Sequence, residues 1–275
     1  MRLSFTKMQG TGNDFILLDG IVNPLEGLAF EKLSKKLCDR RFGIGADQIL
    51  VLLPSDKADF RMKIFNADGS EVEMCGNGIR CLAKYIWDKG LSKKEVLEIE
   101  TLAGIIKPER TDGTVKVDMG APRLDARDIP VKLEGRVVDY PLKIEDKIFQ
   151  ITCVSMGNPH AVIFVDDVEG FPVQHYGPII ERHPLFPERT NVEFVQVISK
   201  EEIKMRVWER GSGETLACGT GASASAVASA LKGLAGRNVK VGLRGGILLI
   251  NWAENGTLYM TGPAEEVFTG EISVS

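Results

Sequence analysis

The sequence predicts an α+β fold built from two pseudo-symmetric domains, each a mostly antiparallel or mixed sheet wrapped around a central helix. Three observations support this class. Shifting the chain against itself by 143 positions lays Cys75 on Cys218 and Gly78 on Gly221 without a gap. Each of these glycine-containing turns precedes a helical pattern, and short strand-like runs flank that pattern on both sides. Strands grouped around one helix, instead of alternating with helices, are typical of an α+β protein.

In the first half, the amphipathic run 30–38 predicts one helix. The apolar spacing of Ile79, Leu82 and Ile86 predicts a second helix after the cysteine turn, closed by Gly90. Apolar runs bounded by turns rich in Gly, Asn and Asp predict strands. These predicted strands are 4–9, 15–18, 49–53, 60–66, 97–101, 104–109 and 114–119.

The second half repeats this order. A small-residue run, 222–231, predicts the helix that follows Cys218, and a further helix is expected over 177–182. Residues 156–160 predict a turn that matches the one at 12–13, although the offset there is 145. The predicted strands are 147–154, 161–165, 191–198, 203–208, 239–241, 246–252 and 257–261.

The duplication also predicts the domain boundaries. Residues 1–120 form the first half and 121–261 the second, with the aperiodic segment 120–130 as the link. Residues 262–275 exceed what the repeat requires, and we expect a strand over 266–274 that returns to the first half. Two such halves facing each other would form a cleft, and ligand sites favour domain interfaces. We therefore expect the active site in that cleft.

Composition favours a globular protein that acts on a small molecule. The 275-residue chain is 44% hydrophobic and 26% charged, with a formal net charge of −4. It provides neither a basic stripe for nucleic acid nor a cationic helix for a membrane surface. No apolar run approaches the length of a membrane span, and residues 1–10 lack the apolar segment of a secretion signal. We expect a cytoplasmic protein without nucleic-acid or membrane partners.

The five cysteines are irregularly spaced, so reduced thiols are expected. Cys38, Cys81 and Cys153 lie in apolar stretches and are expected in the core. Cys75 and Cys218 instead stand just before predicted helices. There, free N–H groups and the helix dipole favour anions, and we expect a thiol to lose its proton more easily. The glycines after each cysteine let the backbone approach a ligand, so one turn can hold both a thiolate and a substrate carboxylate.

Two thiols that face one another across a cleft can invert a carbon. One thiolate removes a proton from one face while the other thiol delivers a proton to the opposite face. Fixed dipoles at the helix starts would stabilise a carbanion beside a carboxylate, so this chemistry needs no metal or pyridoxal cofactor. Because each sulfur is a base in one direction and an acid in the other, the pair suits a reversible epimerisation.

The motif Asn66-Ala67-Asp68-Gly69-Ser70, followed by Cys75-Gly76-Asn77-Gly78-Ile79-Arg80, resembles the signature of the diaminopimelate epimerases. The resemblance extends from Phe5-Thr6-Lys7-Met8-Gln9-Gly10 through Gly157-Asn158-Pro159-His160 to Thr261-Gly262-Pro263-Ala264, which is nearly the whole chain. It implies cofactor-independent conversion of LL-2,6-diaminopimelate to meso-diaminopimelate, in lysine and peptidoglycan precursor biosynthesis. It also implies a homodimer.

The same resemblance implies roles for individual residues. Cys75 and Cys218 would be the acid and base, and His160 and Glu209 would adjust the pKa values of the thiols. The substrate would be bound by Asn13, Gln48, Asn66, Gly76, Asn77, Asn158, Asn191, Glu209, Arg210, Gly219 and Thr220. Asn and Gln side chains supply the neutral donors and acceptors that two zwitterionic ends require, while Arg210 could pair with a carboxylate and Glu209 with an ammonium group. No metal ligand is implied.

Other interpretations stay open. Cys75 and Cys218 could form a structural disulfide, which a reducing cytosol disfavours, and the three histidines lack the spacing of a zinc site. Proline racemases, hydroxyproline epimerases and phenazine-pathway isomerases share the expected architecture. They should lack the Asn66 and Arg210 set for a second zwitterionic end, and the last group should also lack the cysteine pair. Outside the epimerases, an amino-acid-binding protein or a thiol-redox protein is the alternative.

Overall fold

The computed structural model describes residues 2–274, which form two compact units. Unit 1 comprises the chain up to Val117 together with the chain from Gly262 onward, and unit 2 comprises Asp118–Thr261. Each unit contains mixed sheet and two α-helices. The predicted α+β class with two similar halves is therefore confirmed.

The first part of the chain contains nine strands and two helices among the described residues. They are β1 (Arg2–Gly10), β2 (Asn13–Asp19), α1 (Phe30–Leu37), β3 (Gln48–Leu53), β4 (Phe60–Asn66), β5 (Glu71–Val72), α2 (Gly76–Asp88), β6 (Ile99–Thr101), β7 (Gly104–Ile106), β8 (Pro108–Thr111) and β9 (Thr114–Asp118).

A short 3-10 helix, Ala126–Asp128, precedes the remaining elements. They are β10 (Tyr140–Ile144), β11 (Lys147–Ser155), β12 (Pro159–Phe164), α3 (Val173–Glu181), β13 (Asn191–Val197), β14 (Glu202–Glu209), β15 (Gly213–Thr215), α4 (Gly219–Leu231), β16 (Asn238–Leu243), β17 (Gly246–Trp252), β18 (Leu258–Gly262) and β19 (Glu265–Ser273).

The sheet of unit 1 has the strand order β19-β1-β2-β3-β4-β6-β7, with β5 beside β4. Strands β2 and β3 are parallel, and Phe15 lies opposite Gln48 in their register. The last strand, β19, pairs antiparallel with β1. The last strand of the chain therefore belongs to the sheet of unit 1.

A two-residue turn joins β1 to β2 and directs the start of β2. Thr11 and Gly12 have φ values of 54° and 84°, as a hairpin turn with both central residues in the left-handed region requires. The hydroxyl of Thr11 donates to the carbonyl of Gly10 and accepts from Arg80. This turn sets the position of Asn13, the first residue of β2.

Helix α2 packs in unit 1 with Ile79, Leu82 and Ile86 fully buried, in agreement with the predicted spacing. Arg80 is also fully buried. Its guanidinium donates to the carbonyl of Gly76 at 3.3 Å, inside the first turn of its own helix.

In unit 2, the strands follow the order β10-β11-β12-β13-β14-β16-β17-β18, with β15 beside β14. Strands β12 and β13 are parallel, and His160 lies opposite Asn191. This register matches that of Phe15 and Gln48 in unit 1, because Asn191 corresponds to Gln48 at the offset of 143. The duplication therefore extends to the pairing of individual strand residues.

Helix α4 is the central helix of unit 2. Its side chains are mostly alanine and serine, and nearly the whole helix is buried. The buried hydroxyls are satisfied along the helix, since Ser223 donates to the carbonyl of Gly219 and Ser229 to that of Ser225. Because the side chains are small, strands can pack closely on every face of the helix. A helix that is buried on all faces has no polar face and therefore shows no amphipathic pattern.

Three local predictions were wrong. The strand expected over 104–109 is two strands, β7 and β8, with a break at Lys107. Pro159 and His160 belong to β12 and not to a turn, because proline is tolerated at the first position of a strand. Helix α3 begins at Val173, four positions before the expected start, and carries Pro178 in its interior. Strand β10 was not predicted, since its proline is acceptable only at a sheet edge, where this strand lies.

Candidate active site

The two cysteine turns have the same geometry in the two units. Cys75 is the N-cap of α2 with φ −138° and ψ 117°, and Cys218 is the N-cap of α4 with φ −130° and ψ 113°. Each sulfur accepts a 3.4 Å hydrogen bond from the backbone N–H three residues on, at Gly78 and Gly221. The prediction that both thiols stand at helix N-termini is confirmed.

The first backbone donors after each cysteine remain outside the helical ladder. In both helices the first i→i−4 bond runs from the residue four positions after the cysteine to the cysteine carbonyl, at 2.9 Å. Of the three N–H groups ahead of that bond, the third donates to the cysteine sulfur. The first two point out of the helix start, where they can bind an anion. They belong to the residues predicted to hold the substrate carboxylate: Gly76, Asn77, Gly219 and Thr220.

In unit 1, the structure brings Cys75 together with two of the predicted asparagines. Asn13 Oδ1 lies 3.7 Å from the sulfur of Cys75 and accepts a 3.3 Å hydrogen bond from Asn77 Nδ2. Asn77 is buried, while Cys75 and Asn13 are half-buried. The sulfur therefore has an amide oxygen beside it and a helix start behind it.

An ion-pair cluster fixes the orientation of the Asn13 amide. Asp47 Oδ2 accepts from Asn13 Nδ2 at 2.7 Å, which leaves Oδ1 of Asn13 toward the thiol. Arg40 bridges Asp47 and Asp14, and Lys7 also pairs with Asp14. Burial alone would raise the pKa of Asp14, but hydrogen bonds from Arg40 and Lys7 lower it to about 2. Asp14 therefore stays ionised at neutral pH, and the cluster holds the amide in one orientation.

Gln48 and Asn66 form a second polar pair in unit 1. Gln48 Nε2 donates to Asn66 Oδ1 at 2.8 Å, and Asn66 Nδ2 donates to Ser70. Two buried side-chain oxygens of unit 1, Gln48 Oε1 and Asn77 Oδ1, have no hydrogen-bond partner among the described residues. Unpaired buried oxygens are costly, so both are suited to accept from a ligand donor such as an ammonium group.

In unit 2, Cys218 stands at the end of a chain of polar contacts. Its sulfur lies 3.4 Å from Thr220 Oγ1, which accepts a 3.3 Å hydrogen bond from Asn158 Nδ2. Asn158 Oδ1 in turn lies 2.9 Å from His160 Nε2. His160 Nδ1 lies 2.7 Å from Glu193 Oε1, and both of these side chains are fully buried.

Glu209 is the second acidic group beside Cys218. It accepts hydrogen bonds from Thr215 and from the thiol. Burial raises its pKa, against the lowering effect of those two hydrogen bonds.

The expectation that the helix start makes the thiol easier to ionise is wrong for Cys218. Burial, followed by the charges of Glu209 and Glu193, raises the pKa of this thiol well above its usual value. Donors from Thr220 and from the backbone of Gly221 act in the opposite direction but are outweighed. Without a ligand, Cys218 is therefore a protonated thiol.

Asn191 and Arg210 are used differently from the other predicted binders. Asn191 is buried and donates to the carbonyl of Pro159, while its Oδ1 accepts from the backbone of Arg210 at 2.9 Å. Its amide therefore links two segments that carry site residues. Arg210 is exposed, and its guanidinium donates to the carbonyl of Glu188.

Sequence reasoning missed Glu193 and Asp47, which hold His160 and Asn13. Glu193 could have been found, because it is a charged residue in an otherwise apolar strand pattern and replaces Leu50 at the offset of 143. Asp47 had no comparable signal, since acidic residues are common in turns.

The other three cysteines lie in the core, as predicted. Cys38, Cys81 and Cys153 are buried, and burial raises the pKa of each thiol to about 12. Across residues 2–274, no group of three or more His, Cys, Asp or Glu side chains is arranged to hold a metal ion. No helix in the described part of the chain combines the length and apolarity needed to cross a membrane.

The family model of diaminopimelate epimerase matches residues 5–124 and 152–267 of this chain. A diaminopimelate epimerase from Pelotomaculum thermopropionicum is 54% identical over 275 residues, which cover 98% of each chain. One from Halothermothrix orenii is 55% identical and covers 100% of this chain and 99% of its own. One from Methanococcus maripaludis is 52% identical and covers 99% of this chain and 100% of its own.

Solved structures of low sequence identity share the fold. A Bacillus anthracis phenazine biosynthesis protein of the PhzF family has a TM-score of 0.72 at 17% identity, with all of both chains covered. A hydroxyproline epimerase from Agrobacterium vitis has a TM-score of 0.70 at 16% identity, covering 98% of this chain and 91% of its own. At these identities the likeness concerns the fold alone.

Proposed function

This chain belongs to the diaminopimelate epimerase family, and we propose that it converts LL-2,6-diaminopimelate to meso-diaminopimelate with the thiols of Cys75 and Cys218 and without a cofactor. It is an amino-acid epimerase. The observation that carries the mechanism is the pair of matching N-cap cysteines, one in each repeat, each followed by backbone N–H groups that precede the first helical hydrogen bond.

In the proposed reaction, one sulfur starts as a thiolate and the other as a thiol. The thiolate takes the α-hydrogen of the substrate as a proton, and the electron pair left behind is delocalised into the α-carboxylate. The thiol then delivers its proton to the opposite face of the same carbon, which inverts it. The net reaction exchanges one C–H bond for another, and the two sulfurs end with their protonation states reversed.

The carbanion is stabilised by the helix starts. Backbone N–H groups at Gly76 and Asn77, and at Gly219 and Thr220, are proposed to bind the carboxylate next to the reacting carbon. Because these donors are already oriented before the substrate arrives, they need no reorganisation as negative charge develops. This stabilisation takes the place of the electron sink that a pyridoxal cofactor would supply.

The high pKa of Cys218 determines which of the two cysteines acts first as the acid. Since this thiol is protonated without a ligand, we propose that Cys75 is the base for the stereoisomer whose α-hydrogen faces it, and that Cys218 is the acid. His160 and Glu209 adjust the thiol pKa values, as Glu209 contacts Cys218 directly and His160 acts through Asn158.

The remaining polar residues are proposed to recognise the substrate's amino and carboxylate groups. The unpaired oxygens of Gln48 and Asn77 can accept from an ammonium group. The exposed guanidinium of Arg210 can pair with a carboxylate in a bidentate manner. Other neutral contacts come from Asn13, Asn66, Asn158 and Asn191.

At the level of the cell, we propose a role in making precursors of lysine and peptidoglycan. A cytoplasmic location and a homodimer are part of the same proposal, and they rest on the family and not on contacts described above.

The function is tested by hydrogen exchange. LL-diaminopimelate incubated with the reduced, cofactor-free protein in D2O is expected to yield meso-diaminopimelate with deuterium at the inverted α-carbon. The measurement is NMR and mass spectrometry of the amino acid after chiral separation. Proline and trans-4-hydroxyproline serve as matched substrates that should gain no deuterium. If diaminopimelate acquired no α-deuterium under reducing conditions, the proposal would be abandoned, and exchange into proline would place the activity with the proline racemases.

A further inference from the structure

The two units differ in the side chains that pack against the cysteine turn. In unit 1, a methyl group placed on Gly78 would lie 3.0 Å from Leu50 Cδ2 and 3.5 Å from Phe15 Cε1. In unit 2, a methyl group on Gly221 would lie 2.8 Å from Glu193 Oε1. Apolar side chains therefore pack under the first turn, while a carboxylate packs under the second.

Strand registers extend this difference to a second residue. Phe15 lies opposite Gln48 in unit 1, and His160 lies opposite Asn191, the counterpart of Gln48, in unit 2. His160 thus occupies the place of Phe15, as Glu193 occupies that of Leu50. One half of the duplication has an apolar pair where the other half has a titratable pair.

The titratable pair is expensive to bury. His160 and Glu193 are both fully buried, and the second carboxylate oxygen, Oε2, has no partner among the described residues. A buried carboxylate that lacks full compensation costs stability, whereas the phenylalanine and leucine of unit 1 support the equivalent turn without that cost. Support of the fold therefore does not account for Glu193.

The contacts that lead from the pair have a direction. Asn158 Oδ1 can only accept, so the hydrogen between it and His160 Nε2, 2.9 Å apart, is on the histidine. Asn158 Nδ2 donates onward to Thr220 Oγ1. The Thr220 hydroxyl can then direct its own hydrogen to the sulfur of Cys218, 3.4 Å away. In each of these three hydrogen bonds, the acceptor is the group nearer to the sulfur of Cys218.

We propose that Glu193 is a positioning residue of the epimerase: it shares one proton with Nδ1 of His160 and thereby keeps the second ring hydrogen on Nε2. The chain of donors that this orientation allows ends on the sulfur of Cys218 and stabilises its thiolate. This inference deepens the proposed function and rests on it.

The other groups that face Cys218 are accounted for. The acidic side chains near this sulfur are Glu209 and Glu193, and the basic one is His160. Replacing Glu193 and His160 together removes the donor chain as well as the Glu193 charge that raises the pKa of the Cys218 thiol.

The test uses the full-length, reduced protein in three variants. Glu193→Gln removes the acid, and Glu193→Leu combined with His160→Phe installs the pair that already packs in unit 1. The control is Asp19→Asn, which removes a buried carboxylate in unit 1 that accepts from Tyr85 and lies outside the site. If Glu193→Gln fails to fold, the double variant carries the test, because its two side chains form an apolar pair.

Two kinetic effects are expected. In both Glu193 variants, kcat/KM for LL-diaminopimelate falls by about 10- to 100-fold at neutral pH, mainly through kcat, because Glu193 is fully buried and acts on the thiol through other residues. The basic pKa seen in the pH profile of kcat/KM is expected to shift in both variants, because the charge of Glu193 and the donor chain both act on the Cys218 thiol. Asp19→Asn keeps the profile of the wild-type protein. A double variant that folds and keeps both kcat/KM and the pH profile would overturn the proposal.

The second measurement does not depend on activity. The chain has three histidines, so their ring nitrogens can be resolved by two-dimensional 1H–15N NMR. His160 is expected to show a hydrogen on Nε2 in the wild-type protein, and this signal should shift or disappear in Glu193→Gln. An unprotonated Nε2 in the wild type, or an unchanged signal in the variant, would refute the proposal. Failure of the proposed function would appear instead as missing deuterium exchange in the wild-type protein.

Discussion

Replacement of either Cys75 or Cys218 by alanine is expected to lower kcat/KM for LL-diaminopimelate by at least about 10³-fold. Positioned acid–base groups contribute about 10²- to 10⁴-fold each, and an epimerisation needs both an acceptor and a donor of the proton in every turnover. Among the described residues, no other ionisable side chain caps α2 or α4, so none stands where it could replace the sulfur. The measurement is the steady-state appearance of meso-diaminopimelate.

The matched controls are Cys38→Ala and Cys153→Ala. Both thiols are buried in the core and lie outside the site. Each change should cost about 1 kcal/mol of stability for the lost packing while leaving kcat/KM within about twofold. If a single Cys75 or Cys218 variant kept its activity within about tenfold of wild type, a two-thiol mechanism would not hold.

Arg80→Met is expected to lower the free energy of unfolding by about 3 kcal/mol. The guanidinium is fully buried and donates to the carbonyls of Gly76 and Pro263 and to the hydroxyl of Thr11. These contacts tie the first turn of α2 to the β1–β2 turn and to the segment before β19. Methionine keeps most of the apolar volume but leaves these buried acceptors without their donor.

Urea denaturation compared with Lys84→Met checks this prediction. Lys84 lies one turn further along α2, where it pairs with Asp88 at the surface, and its loss should change stability by no more than about 0.5 kcal/mol. Similar losses in the two variants would show that the buried contacts of Arg80 do not stabilise unit 1.

Most of the fold could be predicted because the duplication supplied each pattern twice. Strand β4 and the helices after both cysteines follow directly from apolar spacing and turn residues, and β19 follows from a segment that the repeat leaves over. Strand β10 could not be predicted, because a proline in its second position argues against a strand unless the strand is known to be at an edge. Edge position depends on tertiary structure, which a local pattern does not contain.

The residues of the site could be predicted more easily than the contacts that they make within each half. The cysteine turns and their neighbouring asparagines could be named from sequence, but the pairing of Asn13 with Asp47 and of His160 with Glu193 depends on strand register. A charged residue in an apolar strand was the one available signal for Glu193.

The protonation of Cys218 shows why a local argument can fail. A helix N-terminus favours a thiolate, and the same argument applies to both cysteines. Full burial beside Glu209 and Glu193 outweighs it for Cys218. Burial is a property of the folded chain, so the sequence motif alone cannot rank the two effects.

The origin of the α-hydrogen in the product is the most direct test of two thiols acting on opposite faces of one carbon. LL-Diaminopimelate that carries protium at its α-carbons is converted in D2O. The first meso-diaminopimelate formed at low conversion is analysed by mass spectrometry. The account predicts that the inverted carbon carries deuterium, because its new hydrogen comes from a second, solvent-equilibrated thiol. Product that keeps the original α-protium would show one base acting on both faces and would contradict the account.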